Sequence, residues 1–158
     1  MQTYRSNSPK DTRFLAKTLA KRLGGSGVIL LRGELGSGKT QFVKFLAAAY
    51  GIKQHITSPT FVLHKTYFFT RLGKKHSFEH FDFYRLGENE KGLNLGLEDV
   101  LSLKDNIIAI EWPEKISKLK SINAIRIHFS YGKTAQERTI NINGTDRLPT
   151  PRRAKKKI

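Results

Sequence analysis

Val28-Ile29-Leu30-Leu31-Arg32-Gly33-Glu34-Leu35-Gly36-Ser37-Gly38-Lys39-Thr40 decides the fold. Its first four residues form a continuous apolar run of strand length, the pattern of a strand covered on both faces. Three glycines follow, which let the backbone approach a ligand closely and adopt positive φ. From about Lys39 the chain reads as a helix, closed by Gly51. Gly33–Thr40 fits G-x-x-x-x-G-K-[ST]. Average composition would produce that pattern in a chain of this length about half a percent of the time. A strand before it and a helix after it lower that figure further. In such a loop the amide N–H groups from about Leu35 to Thr40 point at a β-phosphate from a helix N-terminus. Lys39 can bridge the β- and γ-phosphates, and the Thr40 hydroxyl can ligate Mg²⁺. Leu35, Gly36, Ser37, Gly38, Lys39, Thr40 and Gln41 are therefore the expected ATP-binding residues, with ATP and Mg²⁺ as ligands.

Outward from this loop, Ser8-Pro9-Lys10-Asp11 reads as a helix start, with Ser8 as cap, Pro9 in the first position and Asp11 reaching back. Leu15, Leu19 and Leu23, with Phe14 and Thr18 alongside, predict one buried face, and Gly24-Gly25 ends the helix. Thr57–Thr60, with Pro59, reads as a loop. Phe61–Thr70 and His76–Tyr84 read as strands joined by a turn at Gly73. Leu95–Leu103 reads as a short helix and Ile107–Ile110 as a buried strand ending at Glu111-Trp112-Pro113. Ala124–Tyr131 and Arg138–Ile142 are further strands. The order predicts an α/β fold: a P-loop NTPase-like domain whose central, mostly parallel sheet is flanked by helices. Residues 1–148 form that single domain, and 149–158 read as a basic, disordered tail.

The chain has 158 residues, suited to one domain, and no cysteine, which excludes disulfides and thiolate metal sites. No apolar stretch reaches the roughly 18 residues that span a bilayer, and the N-terminus lacks a secretory signal, so a cytoplasmic protein is expected. Lys and Arg number 29 against 13 Asp and Glu, a net charge of +16. Two readings of that charge stay open: a polyanionic partner such as RNA, and a lysine-rich solvated surface.

A phosphate-binding loop needs a carboxylate near its metal. Glu111, ending a buried strand, sits where such a group usually lies, and Asp82 in His80-Phe81-Asp82-Phe83-Tyr84-Arg85 is a second candidate. Ser58 and Thr60, either side of Pro59, form a candidate switch loop whose hydroxyls could reach the metal or γ-phosphate. The five histidines show no metal-ligand spacing and read as structural or surface residues.

Four strings occur in order: Glu34–Thr40, Thr57-Ser58-Pro59-Thr60-Phe61, His80–Leu86 and Ile110-Glu111-Trp112-Pro113-Glu114. Together they resemble the TsaE family, bacterial ATPases of tRNA threonylcarbamoyladenosine (t6A) biosynthesis, from about Thr12 to Ile142. The resemblance implies an ATPase that supports t6A formation at position 37 of tRNA by a TsaD–TsaB complex, in contact with those partners and with tRNA directly or through them. It implies Thr40 and Glu111 as the Mg²⁺-linked pair, Asp82 as the acid that positions or activates water, and Thr12 as a residue near the nucleotide. Phe83 stands where the family more often has Leu, and the basic tail lies outside the pattern. Two other classes share parts of this chemistry: a P-loop small-molecule kinase, and a basic RNA-binding module with secondary ATP binding.

Overall fold

A computed structural model describes residues 1–59, 62–87 and 96–144. Seven strands form one sheet in the order β1-β7-β6-β2-β5-β4-β3. The strands are β1 (Gln2–Ser6), β2 (Gly27–Gly33), β3 (His64–Arg71), β4 (Lys74–Asp82), β5 (Asn106–Glu111), β6 (Ile125–Tyr131) and β7 (Arg138–Asn143). The helices are α1 (Pro9–Leu23), α2 (Lys39–Ala49) and α3 (Leu97–Ser102), with 3₁₀ turns at Pro113–Lys115 and Ser117–Lys120.

The expected mostly parallel sheet is instead mixed. β2 pairs in parallel with β5 and β6, and β4 with β5. β1–β7, β3–β4 and β6–β7 are antiparallel. Parallel neighbours need long crossovers, whereas a tight turn such as Leu72-Gly73 permits an antiparallel hairpin. Here two hairpins and the N-terminal strand flank the parallel centre. β1 had no apolar run to betray it. It is an edge strand that buries Tyr4 and Ser6 and leaves Thr3 and Arg5 outside.

α1 begins as its sequence implies. The Asp11 N–H donates to Ser8 Oγ at 3.4 Å, and the Asp11 carboxylate accepts the Asn7 N–H at 2.9 Å. Its buried face is Thr12, Leu15, Ala16, Leu19 and Ala20, an i, i+3, i+4, i+7, i+8 stripe. Phe14, expected beside that face, is 45% exposed, because it lies one residue off the stripe. α1 and α2 cover one sheet face through a core of Leu15, Leu19, Phe42, Leu46, Ile29, Leu31, Ile127 and Ile140. α3 and the 3₁₀ turns cover the other through Leu97, Ile116 and Leu119 against Leu30, Phe81, Ile108 and Ile110. β2 and β5 are thus buried on both faces, and their C-terminal ends meet side by side, Leu31 opposite Glu111.

Phe61, expected to open β3, Leu95, expected to open α3, and the basic tail at 149–158 lie outside the described residues. No helix among the described residues is long and apolar enough to cross a membrane.

Candidate functional site

The sequence Gly33–Gly38 turns the end of β2 into the start of α2. Gly36 and Gly38 have φ of 74° and 107°, a region that a side chain strains and glycine does not. The Gly38 carbonyl receives the Phe42 N–H at 2.9 Å, opening the helix. Lys39, 4% exposed, turns back over the loop. Its Nζ donates to the carbonyls of Gly33 at 2.7 Å and Glu34 at 2.9 Å and lies 4.1 Å from the centre of the Trp112 ring. An ammonium has three donors, so one is left for an anion. Burial lowers the Lys39 pKa, and the carboxylates of Glu111, Glu114 and Asp82 partly oppose that.

Glu111 bonds the start of α2 directly, and Asp82 lines the same cavity. Glu111, at the end of β5 and 2% exposed, accepts the Thr40 hydroxyl on Oε2 at 2.8 Å. Its Oε1 lies 2.9 Å from His80 Nε2, and His80 is fully buried. A carboxylate only accepts, so this contact assigns the proton to Nε2 when Glu111 is ionised. Nδ1 finds no hydrogen-bond partner among the described residues. Asp82 ends β4, directly opposite Glu111 across the parallel ladder. Its Oδ1 accepts the Tyr84 N–H at 3.0 Å and its Oδ2 accepts the Ser58 hydroxyl. Thr60 lies outside the described residues.

After Glu111 the chain takes a left-handed step, with Trp112 at φ 58° and ψ 47°. Such a conformation costs a bulky residue on the order of 1–3 kcal/mol. The step sets the indole over Lys39 and against the Tyr84 ring at 5.1 Å. Trp112 N–H donates to Leu31 O at 3.2 Å, and Pro113 begins the 3₁₀ turn that follows.

Leu35, Gly36, Gly38, Lys39, Thr40, Gln41, Ser58, Asp82 and Glu111 line one cavity of about 300 Å³. Gly36, Gly38 and Gln41 also border a second, of about 270 Å³, on the α1 side of the loop. Thr12 lines that second cavity, not the first, with its Oγ1 2.7 Å from Ser6 Oγ. Ser37 borders it too, fully buried, its hydroxyl without a partner among the described residues.

Three residues escaped the sequence reading. His80 was read as structural or surface, yet it holds the site's central carboxylate. Its place two residues before Asp82, on the same strand face, was the available signal. Tyr131 and Arg138, paired across the β6–β7 hairpin, bond carbonyls of the loop, and Arg138 also lines the second cavity. They are a hundred residues from it and carry no local signal.

A family model described as threonylcarbamoyl adenosine biosynthesis protein TsaE matches residues 6–140. Three relatives bear the name tRNA threonylcarbamoyladenosine biosynthesis protein TsaE. That of Aquifex aeolicus is 41% identical over 110 residues, 68% of this chain and 74% of its own. That of Rickettsia conorii is 37% identical over 123 residues, 77% and 67% of the two chains. That of Streptomyces coelicolor is 36% identical over 136 residues, 84% and 89%. Among solved structures, Bacillus subtilis YdiB superposes with a TM-score of 0.68 at 26% identity, over 88% of this chain and 82% of its own.

Proposed function

The chain belongs to the TsaE family, and on that premise we propose that it binds ATP with Mg²⁺ and hydrolyses it in support of t6A formation on tRNA. The observation that carries this reading is the convergence of Lys39, Thr40, Glu111 and Asp82 on one cavity at the mouth of the glycine loop. The triphosphate lies along Gly36–Thr40, where loop amides and the free donor of Lys39 meet its charge. The nucleoside extends toward the second cavity, past Gln41 to Thr12.

The residues fit Mg²⁺ in particular. Among the described residues no group of three or more His, Cys, Asp and Glu converges as a closed metal cage. Mg²⁺ uses few protein oxygens and completes its shell with phosphate and water. Thr40 Oγ1 and Glu111 Oε2, already 2.8 Å apart, are the oxygens that would hold it. Bound there, the ion neutralises phosphate charge. His80 keeps the Glu111 carboxylate aimed at Thr40. Asp82, fixed by Tyr84 N–H and Ser58, orients a water for attack and takes its proton.

The partners in this reading are TsaD- and TsaB-like proteins, with tRNA reached directly or through them, and the setting is the cytoplasm. The family match and the family-named relatives support the pathway. The test is calorimetric titration of Mg-ATP, followed by ATP turnover and t6A formation with and without TsaD and TsaB. Micromolar binding and partner-dependent t6A formation are expected. No binding of ATP with Mg²⁺ present would overturn the reading.

A further inference from the structure

The β6–β7 hairpin grips the glycine loop at three successive carbonyls. Tyr131 Oη donates to Leu35 O at 2.5 Å. Arg138 donates through Nε to Ser37 O at 2.9 Å and through Nη2 to Gly36 O at 3.5 Å. Its Nη1 donates to Ala135 O and Glu137 O, both at 2.8 Å, so the same guanidinium closes the hairpin's own turn. Its Cζ lies 4.9 Å from the centre of the Tyr131 ring, and the two side chains brace each other.

In a planar trans peptide the C=O and the N–H point to opposite sides. A carbonyl fixed on the outer side therefore turns the next residue's N–H inward. The outer contacts on Leu35 O and Ser37 O set the N–H groups of Gly36 and Gly38 in this way. A cation on the peptide oxygen also polarises the unit toward its N–H end. The fit leaves little slack: a Cβ on Gly36 would come within 3.0 Å of the Tyr131 hydroxyl.

We propose that Arg138, braced by Tyr131, is a positioning residue for the phosphate-binding loop, presetting the Gly36 and Gly38 amides for a nucleotide's phosphates. It touches no reacting atom. Its effect falls on binding, because without it the loop must be ordered when the phosphates arrive. The proposal rests on the reading that this loop binds ATP phosphates.

The test compares the full chain with R138A, R138K and Y131F by titrating Mg-ATP and, separately, inorganic tripolyphosphate, which has no nucleoside. Loss of a charge-assisted hydrogen bond predicts affinity for both ligands about tenfold weaker in R138A. KM for ATP rises by a similar factor while kcat falls less than about threefold, the split expected of uniform binding. R138K restores little, since one ammonium cannot copy the fork. Millimolar methylguanidinium restores R138A. If R138A fails to fold, Y131F decides: it keeps the ring under Arg138, loses the Leu35 contact, and weakens tripolyphosphate about threefold. Equal affinities in parent and variants overturn the positioning role and leave the ATP reading standing. A parent that binds neither ligand overturns both.

Discussion

Thr40 Oγ1 donates to Glu111 Oε2 at 2.8 Å, joining the first turn of α2 to the last residue of β5. The other Glu111 oxygen is held by His80 at 2.9 Å, so each oxygen of a nearly buried carboxylate has a partner. The carboxylate is preset, and a metal placed between it and Thr40 has to displace a single hydrogen bond.

Glu111→Gln keeps the shape and the His80 neighbour but removes the charge. The Mg²⁺-dependent gain in ATP affinity should fall by about 10–100-fold, the range seen when groups around a bound metal are altered. Affinity measured in EDTA should stay near that of the parent. Titrations with and without Mg²⁺ decide it, and an unchanged Mg²⁺ increment would remove Glu111 from the metal's shell.

Asp82→Ala should separate binding from turnover. The Mg²⁺-linked oxygens in this reading are those of Thr40 and Glu111, which bond each other directly. Asp82, on the neighbouring strand, is braced by Tyr84 N–H and the Ser58 hydroxyl and lines the same cavity. Mg-ATP affinity should change less than about threefold, while single-turnover hydrolysis with TsaD–TsaB slows by about 10²-fold or more, the usual worth of a positioned base. Hydrolysis at the parent rate would exclude Asp82 as the water-orienting group.

Much of this arrangement was readable from residue order, and the parts that were not share a physical cause. The glycine loop, α1 with its cap and stop, and the buried strands β2 and β5 announce themselves through local pattern. Glu111 could be placed because a strand buried on both faces must end beside the loop. The β3–β4 hairpin and the strands β6 and β7 were legible too, but the strand order, the mixed pairing and the presence of β1 were not. β1 is a five-residue edge strand whose buried residues, Tyr4 and Ser6, form no apolar run, and its partner β7 lies at the other end of the described chain. Arg138 and Tyr131 act through carbonyls far away in sequence, and only the β2–β6 pairing brings them there. His80 reads as an ordinary strand residue until β4 and β5 are set in register.

Glu79→Gln should destabilise the fold in a pH-dependent way. Glu79 is buried at 3% exposure, and burial alone would raise its pKa. Hydrogen bonds from His64 at 2.7 Å, Thr66 at 2.7 Å and Ser77 outweigh that and hold it below the ordinary 4.5. A depressed folded pKa contributes stability that is present above the unfolded value and fades as pH falls through the folded one. Glu79→Gln should therefore lower Tm at pH 7 by about 5 °C, the equivalent of roughly 2 kcal/mol in a chain of this size. The gap should narrow below pH 4.5. A gap that is constant from pH 7 to pH 3 would show that the effect is packing, not charge.

Lys39→Met should abolish tight nucleotide binding without weakening the fold. Lys39 is buried beneath Trp112, and burial, the largest influence on it, lowers its pKa despite three nearby carboxylates. The charged form is thus held at a cost in the free protein, which the phosphates of a nucleotide would offset. For a lysine with a depressed folded pKa, the unfolded chain binds more protons between the folded value and 10.5. Stability from this group accordingly rises with pH through that window. Methionine carries no such charge and keeps the stem's packing, so Tm at pH 7 should be no lower than the parent's, and the alkaline rise should vanish. ATP affinity should fall at least about a hundredfold, since the charge-assisted contact is lost and no other lysine among the described residues lines the cavity. Trp112, the sole tryptophan, reports the same event optically. Its emission in the free protein should differ between parent and K39M, because the ammonium 4.1 Å from its ring centre is gone. Added Mg-ATP should shift the parent's emission and leave that of K39M unchanged. Parent-like ATP affinity in K39M would show that the phosphates lie elsewhere.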